Sequence, residues 1–144
     1  MSIQIKFINE ENKDKYAEKV LTWLRTDFFE RDNEPKKHFW HNRRAIKEAF
    51  NHSDAMVVLN DRKEIIAYMI WTFCGGGRAE IDIVEVRKEY RQQGIFKKCY
   101  LLLLTGFPMS RYCLRFRFRK QSVFFVIWVG KAHTVLINKS DILK

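Results

Sequence analysis

Glu80, Asp82 and Glu85 lie in a strand-like segment, Ala79 to Val86, that runs straight into Arg91-x-x-Gly94. Ile81 and Ile83 fall on one face of such a strand, and Glu80, Asp82 and Val84 on the other. A carboxylate there can take a proton from a reacting group, directly or through water, if its pKa suits the working pH. After the turn comes an apolar segment, Ile95 to Leu104, with the character of a helix. The first N–H groups of a helix lie outside its internal hydrogen bonds and carry the positive end of its dipole, so they form an anion site. Gly94 has no Cβ and lets the backbone approach a ligand closely. Arg91, Lys97 and Lys98 add positive charge, and a diphosphate suits the place. Two plainer readings stay open from the residues alone: an ordinary strand-to-helix turn with a glycine, and a solvent-facing row of carboxylates.

Other reactive side chains form no comparable group. His38 and His41 are three apart on a helical pattern with His52 further on, which makes a poor metal site without Cys or carboxylate partners. No metal is expected. Cys74, Cys99 and Cys113 are scattered and lack CxxC spacing, as in a reduced cytosolic protein without structural zinc. Cys99, just after the turn, reads either as an acyl carrier or as a buried structural thiol, with Lys97 and Lys98 its only visible activators. Trp23, Trp40 and Trp71 sit on periodic apolar faces, as core or pocket walls.

These residues need elements to hold them. Ile3, Ile5 and Phe7 alternate with polar neighbours as in a half-buried strand, and Asn9 or Asn12 can cap the helix that follows. Tyr16, Val20, Leu21, Trp23, Leu24 and Phe28 have helical spacing. A charged connection containing Pro35 leads to a second helical pattern through Phe39, Trp40, Ala45, Ile46, Ala49 and Phe50. Residues 55–59 and 65–73 are strand-like runs around an Asn60-Asp61 turn, an antiparallel hairpin. Gly75-Gly76-Gly77 supplies the next turn. Tyr112 to Phe118 alternates again as a strand, which gives the order β-α-α-β-β-β-α-β before an ambiguous tail. There is no internal repeat.

The chain has 144 residues, enough for one domain, and 47% of them are hydrophobic, so a disordered main state is excluded. Its apolar runs are far shorter than the ~20 residues of a membrane span, and no signal peptide opens it, so a cytoplasmic protein without membrane contact is expected. The net charge of +10 is lopsided. Residues 1–72 hold 13 basic and 12 acidic side chains, and residues 73–144 hold 14 and 5. Either the second half handles an anionic ligand, or it is a solvated basic surface that aids solubility.

The element order, with Val84-x-Val86-x-x-x-Tyr90-Arg91-x-x-Gly94-Ile95-Phe96, resembles the GNAT family of acyl-CoA N-acyltransferases. The resemblance covers residues 3 to about 107 in topology and residues 80–104 in motif. It implies a single α/β domain over residues 1–144, with a mixed, mostly antiparallel sheet flanked by helices and a divergent part at 109–144. It implies acetyl-CoA as acyl donor. Arg91, Gln92, Gln93, Gly94, Ile95 and Phe96 would present backbone amides to the pyrophosphate, and Val84, Glu85 and Val86 would pair with the pantetheine arm like an added strand. Phe96 departs from the small residue usual at the sixth position of the signature.

By the same resemblance, Glu80 corresponds to a strand glutamate that serves as general base, with Asp82 and Glu85 in reserve. A backbone N–H of Val84–Val86 would polarise the thioester carbonyl. The activity implied is direct attack of a primary amine on acetyl-CoA in a ternary complex. The family's tyrosine acid has no counterpart, because Gln121 to Gly130 contains no Tyr. That stretch is β-branched and aromatic, closer to a strand than a helix. Arginines alternate with rings over residues 111–120, a pattern for nucleic-acid contact or a strand with its rings in the core. The basic half favours an amine borne on an anionic molecule over a polyamine. The rivals are a catalytically weak or inactive module that binds CoA or RNA through this half, and a homodimer paired through its aromatic tail.

Overall fold

A computed structural model describes residues 2–30, 36–75, 78–106, 113–116 and 127–128. Its chain divides into two compact units, Met1–Ile70 and Trp71–Lys144.

The first unit opens with strand β1 (Gln4–Phe7), then helices α1 (Lys13–Glu30) and α2 (Lys36–Asn51), strand β2 (Ala55–Leu59) and strand β3 (Ile65–Gly75), which runs on past Ile70. Asn9 and Asn12 both work at the entry to α1. Asn12 Oδ1 accepts the Asn9 N–H at 2.8 Å, and Asn9 Oδ1 accepts those of Glu11 and Asn12. Donors that a helix start leaves over are thereby satisfied. Tyr16, Val20, Trp23 and Leu24 form the buried stripe of α1, and Ile46, Ala49 and Phe50 that of α2. The Trp23 ring meets Tyr68 of β3 edge-on, with centroids 5.1 Å apart. All five residues of β2 are buried, which explains why its sequence, Ala-Met-Val-Val-Leu, does not alternate. It pairs antiparallel with β1, from Gln4↔Leu59 to Phe7↔Met56, and antiparallel with β3, from Ala55↔Ile70 to Val58↔Ala67.

Two reversals in this unit place ordinary residues in the left-handed region. Ser53 (φ 59°) ends α2, with Asp54 N–H bonded to the Ala49 carbonyl and Ser53 N–H to that of Phe50, a Schellman cap. Lys63 (φ 63°) closes the β2–β3 turn. There buried Asn60 organises the backbone, its Oδ1 accepting the N–H groups of Arg62 and Glu64. Trp40 departs from the sequence expectation: it is 58% exposed rather than core. Six residues ahead of Ile46, it is rotated by about 240° around the helix and lies off the buried stripe.

The second unit continues β3 from Trp71, followed by strand β4 (Arg78–Val86), a 3₁₀ turn (Lys88–Tyr90), helix α3 (Ile95–Gly106), strand β5 (Cys113–Phe116) and the short strand β6 (Ile127–Trp128). Strands β3, β4, β5 and β6 are neighbours in that order. β4 and β5 run parallel, β5 and β6 antiparallel, so the sheet is mixed and mostly antiparallel, in an α/β fold with flanking helices. Ile95, Cys99 and Leu103 recur every four residues and, with Tyr100, are the buried side of α3. Ile127–Trp128 is a strand, as its propensity indicates. Residues 76–77 of the glycine turn, the connection 31–35 and most of 107–144 lie outside the described residues.

Candidate functional site

Strand β4 carries the carboxylates and delivers the chain to the turn. Its described pairing with β5 is parallel and runs from Arg78↔Cys113 to Ile81↔Phe116, and β4 ends at Val86. Glu80 is half-buried and stands in register with Arg115. Asp82 shares its face, and its Oδ2 accepts the Thr72 hydroxyl at 2.5 Å. That bond occupies the reserve carboxylate as a β3–β4 cross-link. Val84, Glu85 and Val86 are half-buried at the C-terminal end of the strand. With a rise of about 3.3 Å per residue, Glu80 lies roughly 13 Å from Val84 along β4. A proton moving between these two places therefore needs an acceptor molecule or water in between.

The turn is built by backbone conformation more than by side-chain packing. After the 3₁₀ turn, Arg91 is extended (φ −71°, ψ 157°) and Gln92 is left-handed (φ 63°), the φ sequence of a type II turn, which favours glycine in the second place. Gly94 is left-handed as well (φ 75°). The Arg91 side chain folds back, and its Nε donates to the Val86 carbonyl at 2.9 Å, which ties the turn to the end of β4. Gln93 Nε2 donates to the Glu89 carbonyl at 3.3 Å.

The first internal bond of α3 runs from Lys98 N–H to the Gly94 carbonyl, so the amides of Ile95 to Lys97 precede the helical ladder. Among the described residues, no atom stands within 4 Å of where a Cβ on Gly94 would lie, which leaves room beside the backbone there. Arg91, Lys97 and Lys98 are exposed around it. A cradle of backbone amides, positive charge and open space fits an anion such as a diphosphate.

Phe96 is half-buried, its ring stacked on that of Tyr100 with centroids 6.3 Å apart and planes 11° from parallel. This contact gives the bulky sixth residue of the motif a place along α3. Burial pushes the Cys99 thiol up to about 12, which keeps it protonated at neutral pH and favours the reading of a buried structural thiol over an acyl carrier. Burial likewise raises the Tyr100 phenol.

The structure thus gathers residues 84–86 and 91–96 at one strand-to-helix corner and sets Glu80 further back on the same strand. The arginine-and-ring stretch at 111–120 is described only at 113–116, and Gly130 and the rest of 109–144 fall outside. Among the described residues, no group of three or more His, Cys, Asp and Glu could hold a metal ion, and no helix is long and apolar enough to cross a membrane. Sequence reasoning missed the Arg91–Val86 bond, the Asp82–Thr72 bond and the left-handed Gln92. None had a signal, since each depends on how the chain folds back.

The profile of the acetyltransferase (GNAT) family matches residues 17–106. No protein of curated function matches the sequence. Among solved structures, the chain is similar to a GNAT-family acetyltransferase from Staphylococcus aureus Mu50, at 15% identity and a TM-score of 0.53, with 79% of this chain and 73% of that one covered. A GNAT-family acetyltransferase from Bacillus cereus ATCC 10987 superposes with a TM-score of 0.56 at 12% identity, covering 79% and 70%. N-acetylglutamate synthase from Neisseria gonorrhoeae, solved with coenzyme A and N-acetyl-glutamate, gives a TM-score of 0.50 at 12% identity over 80% of this chain and 25% of that one. At these identities the likeness is one of fold.

Proposed function

The chain belongs to the GNAT acetyltransferase family, and from that membership we propose that it moves an acetyl group from acetyl-CoA to a primary amine by direct attack in a ternary complex. One observation carries the reading: β4 leads through Val84–Val86 into a turn with left-handed Gln92 and Gly94 and on to the amide-lined start of α3. An extended arm can lie along the end of β4 as an added strand, while its diphosphate meets the helix start. Val84, Glu85 and Val86 take the pantetheine, and Arg91, Gln92, Gln93, Gly94, Ile95 and Phe96 the pyrophosphate.

In the reaction the amine nitrogen bonds to the acetyl carbon, and the C–S bond breaks to release CoA as a thiolate. Glu80 accepts the proton that the ammonium form must lose before it can attack, through water if the amine stands nearer Val84. A backbone N–H of Val84–Val86 stabilises the oxyanion, a contribution of a few kcal/mol where such donors are preorganised. The proton the nitrogen still carries after attack passes through water to the thiolate, which leaves a neutral amide and the CoA thiol.

Calorimetric titration with acetyl-CoA tests the reading. Saturable heat, competed by free CoA and lost in Gly94→Arg while the variant melts as a folded protein, supports the diphosphate site. No heat from folded parent protein at high ligand concentration overturns it. The second reading, a CoA-binding module without turnover, is favoured by the absence of Tyr from residues 121–130. It predicts binding without acetylation of any amine.

A further inference from the structure

Near-neutral charge over residues 1–72 conceals a strong local imbalance. Residues 36–47 of α2 carry Lys36, Lys37, Arg43, Arg44 and Lys47 with no acidic residue. Among the described residues, none of these five, nor Arg25 of α1, has a carboxylate within ion-pair distance. Trp40 stands in their midst, 58% exposed. Phe39 meets its ring edge-on at 5.3 Å, and the Arg43 guanidinium lies 5.5 Å from its centroid. An open groove of about 710 Å³ runs between α1 and α2, with Arg25, Arg43 and Lys47 in its lining and Leu21 and Phe50 among its apolar walls. Asp14, Glu18 and Glu48 line it too, as does Lys13, which is ion-paired with Glu10 at 2.9 Å, so Arg25, Arg43 and Lys47 are the cations left for a polyanion.

We propose that this face of α1 and α2 binds a single strand of nucleic acid, with a base stacked on Trp40 and phosphates held by Arg25, Arg43 and Lys47. A ring held upright by a neighbouring ring and an arginine offers a flat platform to any base, and cations spaced along a groove suit a repeating phosphate chain. An acidic peptide has no use for the platform. A lipid surface needs a broad apolar face, and the apolar stripe of α2, Ile46, Ala49 and Phe50, is already buried in the unit's own core. The site is independent of the acetyl-CoA reading and uses none of its residues.

Fluorescence anisotropy of a labelled 12-nucleotide oligouridylate with the full chain tests the proposal. Micromolar binding at low salt is expected, in the range usual for non-specific association. The single strand should bind more tightly than a duplex of equal length, whose bases are already stacked. Trp40→Ala should weaken binding about fivefold or more with the salt slope unchanged. The double variant Arg43→Gln, Lys47→Gln should reduce that slope by about 1.4, or roughly 0.7 for each phosphate no longer neutralised. Lys63→Gln, an exposed cation on the β2–β3 turn, should bind as the parent does. Both α2 variants lie on the helix surface, and their melting curves check that they fold. Parental affinity and slope in both, equal binding of the duplex, or no binding at all would each overturn the proposal. Capture by phosphatidylserine vesicles without oligonucleotide binding would overturn it in favour of a membrane surface.

Discussion

Two residues on one strand divide the work expected of the site. Asp82 accepts the Thr72 hydroxyl at 2.5 Å and so braces β3 against β4, and Glu80 is the base proposed for the reaction. Glu80→Gln should cut the acetylation rate by about 10²–10⁴-fold with acetyl-CoA affinity unchanged; a rate equal to the parent's would return Glu80 to the solvent-facing row. Cys99 gives a prediction of stability against pH. Its thiol is raised from 9.0 to about 12 in the folded chain, so the unfolded chain loses this proton first as pH rises. Stability should therefore be fully kept below pH 9 and fall above it, by at most about 1.4 kcal/mol per pH unit from this group. Urea titrations from pH 8 to 11 would show the fall, and Cys99→Ala should flatten it. At this scale the sequence revealed Gly94 and Arg91 because glycine and arginine have few ways to serve a turn. Gln92 and Trp40 were hidden, since a left-handed glutamine violates local preference and one helical period cannot say which side of Phe39 stays in water.

Elements were more legible than side-chain bonds. The order of strands and helices follows from periodicity and from turn residues, and α1, α2, β2 and β3 form where those signals are strongest. Their ends were less so, because Ser53 and Lys63 hold φ values near 60° that neither residue favours. The cap at Ser53 is completed by the bonds from Asp54 to Ala49 and from Ser53 to Phe50, which overrule the residue's own preference. Ser53→Gly should accordingly stabilise the protein by about 1 kcal/mol, seen as a higher urea midpoint at an unchanged m-value. A lower midpoint would mean that the serine side chain supports the cap in a way the backbone does not show. The corner at β4 and α3 was legible as a motif, and its geometry was not. The parallel register of β4 with β5 joins strands distant in sequence, which no local pattern encodes.

Charge acts over the whole molecule, and its uneven spread here is predicted to bias which acceptors approach. Residues 73–144 hold 14 basic against 5 acidic side chains, and a bound acetyl-CoA diphosphate would neutralise only part of that excess. An acceptor arriving in the same field should be repelled if it is a polyamine and drawn in if its amine sits beside a phosphate or carboxylate. The two classes should differ in kcat/KM at low ionic strength, with the phosphate-bearing amine ahead. Raising salt from 0.01 M to 1 M shortens the screening length from about 30 Å to about 3 Å, so a preference made by the field should shrink across that range. A preference that survives 1 M salt would instead reside in direct bonds within the acceptor site. A polyamine favoured at every salt concentration would mean that the acceptor's path is lined by carboxylates such as Glu80 and Glu85, with the basic excess facing elsewhere.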